Sequence, residues 1–275
     1  YMSEENYDTL VSLLRHKKNI ILQGAPGVGK TFAARRLAYS MMGEKNSDRV
    51  MLVQFHQSYS YEDFVEGYRP SAEESGFVLT KGVFYNFCRK AEIDSDNEYF
   101  FIIDEINRGN LSKIFGELFM LIEKDKRNQN LQLLYSRDKF NVPKNVYIIG
   151  MMNTADRSLA MIDYALRRRF SFFELKPGFE TEGFTEYRMK LDNSKFDKLI
   201  KCTEELNSEI SLDETLGEGF CIGHSYFCDI NSEELTDQRL MEIVEFELIP
   251  LLKEYWFDEP KNVERWSEKL RGAIS

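Results

Sequence analysis

Three features of this chain predict a parallel α/β sheet flanked by helices, followed by a smaller helical domain. The segment GAPGVGKT, Gly24 to Thr31, lies between an apolar, strand-like run at 19–23 and a helix-like run at 32–42. A second apolar run, 99–103, is hydrophobic at every position, as a parallel strand covered on both faces must be, and it leads directly into Asp104 and Glu105. Strand patterns alternate with helical ones up to Phe173, and beyond that point the pattern is mainly helical. The expected division is an α/β domain over 1–175 and a helical domain over 176–275, with the break near Pro177 and Gly178.

The elements follow in order. Residues 4–16 read as a helix with Tyr7, Leu10, Val11 and Leu14 on one face. After the strand at 19–23 and the helix at 32–42 comes a strand at 50–55. Residues 56–86 mix aromatic and polar side chains without a clear period. Turn signals at 67–70 and 73–76 mark a small hairpin inserted near 67–82, with 76–80 as one strand. The strand at 99–103 precedes a helix from Leu111 to about Lys126, in which Leu111, Phe115, Leu118, Phe119 and Ile122 recur at helical spacing. A second hairpin is expected at 131–141, a fourth buried strand at 145–150, and helices at 195–210, 236–256 and 262–271.

Composition sets bounds. With 275 residues, 43% of them hydrophobic, the chain has ample material for two cores. Its net charge of −10 argues against a surface that grips nucleic acid everywhere and leaves room for a local basic channel. Cys88, Cys202, Cys221 and Cys228 form no CxxC pair, and the 3 histidines are scattered, so reduced thiols in a cytoplasmic protein are expected rather than a zinc site. No stretch approaches the roughly 20 apolar residues that cross a bilayer. The first strand begins at Asn19, so the reading expects a fragment with no recognition domain ahead of it and Tyr1 as a remnant.

GAPGVGKT between a strand and a helix is the context of a phosphate-binding P-loop. The backbone of Gly24, Pro26, Gly27, Val28 and Gly29 turns tightly, so that amides converge on phosphate oxygens at the positive end of the next helix, whose first turn carries Phe32. Lys30 then reaches the outer phosphates, and the Thr31 hydroxyl takes a place on Mg²⁺. Asp104 is expected to hold the same Mg²⁺ through water, and Glu105 to polarise the attacking water. Asn153 follows the fourth strand, at the edge where parallel sheets bind ligands, and its amide suits both the γ-phosphate and the water. Asp156 either joins the chemistry or caps a helix starting near Ser158. The run Arg167 to Arg169 sits where a neighbouring subunit's phosphates are in reach, and Arg168 and Arg169 are favoured as the finger.

Taken together, GAPGVGKT, VQFHQSYSYEDFVEGYRP at Val53, FIIDEINRGNLSKIFGE at Phe101, MNTADRS at Met152, DYALRRRF at Asp163 and GFCIGHSYF at Gly219 resemble the AAA+ superfamily, and within it the McrB family. These are the motor subunits of McrBC-type, modification-dependent restriction endonucleases. MNTADRS is far more discriminating than the P-loop, and the motifs span nearly the whole chain. The resemblance implies a hexameric ring that prefers GTP to ATP, hydrolysis stimulated by an McrC-like nuclease subunit, and DNA translocation. It also implies that Asp104, Glu105 and Asn153 serve their own subunit's site, while Arg108 and the Arg167 to Arg169 cluster act on the neighbour's. Guanine preference rests on the resemblance alone, because the NKxD element of small GTPases is missing and residues 193–197 do not match it. His224 and Ser225 stand where a helical lid contacts nucleotide, or form a packed turn. Tyr59, Tyr61, Phe64 and Tyr68 either face a pore and stack on bases or pack in the core or at a subunit interface. Two other functions fit the pattern: an ATP-driven MoxR-like remodelling chaperone, and a scaffold that nucleotide only assembles.

Overall fold

The computed structural model describes residues 2–71, 76–156 and 164–275, the side chains of 164–166 apart. The turn expected at 73–76, and Arg157, Ser158 and Asp163, fall wholly or partly outside the described residues. Helix α1 (Glu4–Lys17) runs through Lys18 into β1 (Asn19–Gly24), followed by α2 (Lys30–Met42), β2 (Val50–Gln54) and α3 (Tyr61–Phe64). The antiparallel pair β3 (Glu66–Pro70) and β4 (Phe77–Lys81) leads to α4 (Val83–Ile93), β5 (Tyr99–Asp104) and α5 (Leu111–Phe115). A minimal hairpin, β6 (Leu131–Gln132) with β7 (Lys139–Phe140), precedes β8 (Val146–Asn153), α6 (Tyr164–Arg169) and β9 (Ser171–Glu174). The remainder is α7 (Glu182–Leu191), α8 (Ser194–Leu212), α9 (Asp237–Glu242), α10 (Ile249–Tyr255) and α11 (Pro260–Ala273), joined by turns.

The main sheet has the order β2-β5-β8-β1-β9, and every pairing in it is parallel. Both faces are covered, which is why β5 reads as unbroken apolar sequence. Ile21, Phe101, Ile103 and Ile148 pack with the insert, α4 and α5 on one side. Ile20, Leu22, Phe100, Ile102, Ile149 and Met151 pack with α1 and α2 on the other. The C-terminal helices enclose a separate core with Trp256, Trp266 and Phe196 at its centre, and this core extends to Ala25 and Val28 of the glycine-rich loop.

Several elements depart from the sequence pattern. The helix expected from Leu111 to about Lys126 stops at Phe115, because Gly116 turns to φ +51°, and 3₁₀ turns at Gly116–Phe119 and Lys124–Lys126 replace it. Its apolar spacing nonetheless marks real core, since Leu111, Phe115, Leu118, Phe119 and Ile122 are all buried. The fifth strand, β9, has only four residues and none fully buried, which leaves it without a period to read. Helices α4 and α7 are likewise additional to the expected set. The helix expected at 236–256 is continuous in course but passes through a π-turn at Ile243–Leu248, just before Pro250, which has no amide N–H to give the ladder.

The aromatic insert is mostly core. Phe64 stacks on Phe84 at 4.6 Å and meets Phe115 edge-on at 4.7 Å, with Phe55 and Phe101 each at 5.7 Å. Tyr61 is buried and half-buried Tyr59 packs against the same cluster; Tyr68 alone of the four is exposed. Truncating Phe64→Ala removes the ring that joins insert to sheet. An equilibrium urea titration is expected to show a loss of about 3–5 kcal/mol, the usual range for a buried Phe.

Candidate nucleotide site

The sheet order does most of the positioning. Gly24 at the end of β1 lies directly opposite Asn153 on β8, and β5, carrying Asp104, pairs with β8 on its other side. At about 4.8 Å per strand, the acidic end of β5 therefore lies about 10 Å from the start of the glycine-rich loop, with Asn153 between them. Gly27 and Gly29 take φ of +76° and +77°, which turns the loop back over the start of α2. Lys30 Nζ donates to the carbonyls of Gly24 and Ala25, 2.9 Å each, and so braces the loop. Burial lowers the Lys30 pKa to about 8, against the opposing pull of Glu105, Asp104 and Asp156. Thr31 and Phe32 occupy the first turn of α2, and Phe32 is exposed, with Arg36 5.0 Å from its ring.

Glu105 is held at every point. Its backbone sits in the left-handed region at φ +51°, and its N–H donates to Asp104 Oδ1 at 3.0 Å. Asn153 Nδ2 donates to Glu105 Oε1 at 2.7 Å, and Arg108 Nε donates to Oε2 at 2.9 Å. Arg108 Nη2 also reaches Asp156 Oδ2 at 3.1 Å. A non-glycine residue held at positive φ costs roughly 1–3 kcal/mol and persists where its surroundings fix it, typically in functional sites. Asn153, Glu105, Arg108 and Asp156 thus form one connected network. Arg108 pairs with Glu105 and Asp156 of the same chain. The Thr31 hydroxyl and the Asp104 carboxylate are hard oxygen donors of the type Mg²⁺ accepts, so these residues fit that cation.

The lid grips the loop through its backbone. The amides of Gly223 and Ser225 donate to the carbonyls of Pro26 and Gly27 at 3.2 and 2.9 Å. The fit is close enough that a Cβ on Gly223 would stand 2.0 Å from the Gly27 carbonyl carbon. Thr154 Oγ1, next to Asn153, donates to Gly219 O at 3.0 Å and ties the lid to β8 as well. His224 is buried and accepts the Gly178 N–H on Nδ1 at 2.9 Å, which leaves the ring proton on Nε2. That edge lies 3.6 Å from where a Cβ on Gly29 would be. The lid amides of Gly223 and Ser225 carry no side-chain signature, and only the structure reveals their role.

The arginine cluster lies elsewhere. Arg169 closes α6, and its carbonyl accepts from Asn19 Nδ2 at 3.1 Å, at the opposite end of β1 from Gly24. Six residues of extended chain, about 17 to 20 Å, separate these arginines from their own glycine-rich loop. Arg168 and Arg169 both bridge Glu123 Oε1, at 3.1 and 2.9 Å. Arg169 is largely buried with its guanidinium 4.2 Å from the Phe119 ring, whereas the Arg168 side chain is 72% exposed. Arg167 is exposed, 5.9 Å from the Phe172 ring.

A glycine-rich loop after β1, an Asp-Glu pair two strands away, an asparagine between them and a helical lid on the loop define a P-loop nucleoside triphosphatase of the AAA+ type. Residues 19–170 match the AAA domain (dynein-related subfamily) and residues 198–264 match the McrB alpha-helical lid domain: the chain belongs to the AAA family, and its AAA domain and lid are of the McrB type. It is 54% identical over 99% of its length to the type IV methyl-directed restriction enzyme EcoKMcrB subunit of Escherichia coli K12, and spans 61% of that protein. It is 24% identical to the type II restriction enzyme BsuMI component YdiS of Bacillus subtilis 168, over 80% of each chain. A solved structure from Cytophaga hutchinsonii aligns with 74% of this chain and 63% of its own at a TM-score of 0.40 and 14% identity. Among the described residues, no helix is long and apolar enough to cross a membrane.

Burial lowers the His224 pKa to about 4, so the unfolded chain takes up this proton first as pH falls. The contribution of a neutral His224 to stability is complete above about pH 6.5 and is lost towards pH 4. Urea midpoints measured across that window are expected to fall less steeply in His224→Asn than in the parent chain.

Proposed function

We propose that this chain hydrolyses GTP with Mg²⁺ at the interfaces of a hexameric ring, and that the ring moves DNA for a restriction complex with an McrC-like nuclease subunit. GTP rather than ATP, the ring and the nuclease partner follow from the McrB resemblance. The observation that carries the reading is the position of Arg168 and Arg169 at the far end of β1 from the P-loop. A guanidinium there is out of range of its own phosphates and serves a neighbour's. Exposure favours Arg168 as the residue that reaches across, and burial with the Phe119 contact favours Arg169 as its anchor.

In this reading the amides of the loop and Lys30 hold the triphosphate, with Phe32 and His224 at its margins. Thr31 and Asp104 hold Mg²⁺, which supplies positive charge to the phosphate oxygens. Glu105 orients the attacking water, and Asn153 fixes Glu105. Arg108 and Asp156 steady the second carboxylate oxygen. Charge developing on the γ-phosphoryl group is met by the neighbour's Arg168, a contribution worth roughly 10³ to 10⁵ in rate where such fingers operate.

Two measurements check this. Glu105→Gln is expected to retain GTP binding and lose about 10²-fold or more in turnover, as removal of a general base does; unchanged turnover would remove Glu105 from the chemistry. Turnover of GTP is expected to exceed that of ATP under the same conditions, and negligible GTP use beside robust ATP turnover would replace the restriction motor with an ATP-driven remodelling chaperone.

A further inference from the structure

Asn19 and Arg127 are fully buried polar residues that the nucleotide chemistry does not use. Arg127 Nη2 donates to Asn19 Oδ1 at 2.7 Å; its Nε donates to Ile122 O at 2.9 Å and its Nη1 to Val146 O at 3.1 Å. Burial pushes the Arg127 pKa down to about 10, and among the described residues no carboxylate is within its hydrogen-bonding shell. Asn19 Nδ2 in turn donates to the carbonyls of Ile122 at 2.8 Å and Arg169 at 3.1 Å. Ile122 immediately precedes Glu123, the carboxylate that both arginines share.

We infer that Asn19 and Arg127 form a buried relay that positions the trans-acting arginine: Asn19 fixes the Arg169 backbone and, through Ile122, the Glu123 carboxylate that aims Arg168. The inference rests on the proposed action of Arg168 across an interface. Burying a guanidinium without a counter-ion is costly, and such a group is tolerated where its N–H donors are satisfied, as they are here by the carbonyls of Ile122, Pro143 and Val146 and the Asn19 side chain. The relay acts on geometry rather than on phosphate, so its loss weakens the arginine's service to the next subunit and leaves the chain's own P-loop intact. Asn19 and Arg127 are positioning residues, not catalytic ones.

The test uses Asn19→Asp, which loses the donor to Arg169 and Ile122 and gives Arg127 a charged acceptor. The expected result is a GTP KM within about twofold of the parent and a kcat lowered about tenfold. Adding Lys30→Ala chains, which supply an intact arginine and no working pocket, is expected to restore turnover per Asn19→Asp chain. Glu123→Gln, at the surface end of the same relay, is expected to behave alike and carries the test should Asn19→Asp not fold. A raised KM without restoration, or an unchanged kcat, would overturn the relay. Arg168→Ala serves as control: if Lys30→Ala chains rescue it but not Asn19→Asp or Glu123→Gln, only the relay fails, and if they do not rescue Arg168→Ala, the trans reading itself fails.

Discussion

Parallel hydrogen bonding of β8 between β1 and β5 is the constraint on which the site depends. The ladder sets Gly24 opposite Asn153 and carries Asp104 to the same edge, so three residues distant in sequence become neighbours without any side-chain contact being required. A slip of one residue in this register would reverse which side chains face each core, exchanging Ile20 and Leu22 with Ile21. Burial on both faces therefore fixes this edge as firmly as it fixes the fold.

That edge is stiff at Glu105 and coupled at the P-loop. Glu105 has both carboxylate oxygens occupied and its backbone in an unfavourable region, so its orientation is determined by Asn153, Arg108 and the Asp104 carboxylate together. The loop is held instead by the lid, through amides that approach Pro26 and Gly27. Any change in loop backbone on binding phosphate acts on carbonyls already bonded to the lid, and so reaches the lid directly. Lys30 is part of the same arrangement, since the carbonyls it braces belong to the same loop.

The sequence made much of this legible, for identifiable reasons. Continuous apolar strands, the glycine spacing of the loop and the Asp-Glu at the end of β5 are local signals, and each has one structural meaning in that context. The aromatic segment around Phe64 carried no period because its residues pack around a short helix and two short strands rather than along one face. β9 was too short to register, and the break at Gly116 depends on a backbone turn that apolar spacing does not encode. Asn19 and Arg127 were invisible for another reason. A single polar residue at the start of a strand and a lone arginine in a charged loop acquire meaning only when folding brings residues 108 positions apart into contact.

The two ends of β1 join the glycine-rich loop to the arginine cluster. Its C-terminal end opens into the P-loop, and its first residue holds the backbone from which Arg168 and Arg169 project. A buried six-residue strand paired on both sides is among the least deformable parts of the molecule, because shifting it would break ladders to β8 and β9 together. Displacement of one end is therefore displacement of the other. Movement of the loop end of β1 therefore carries the backbone of Arg168 and Arg169 with it, and no longer pathway through side chains is needed to link the two ends.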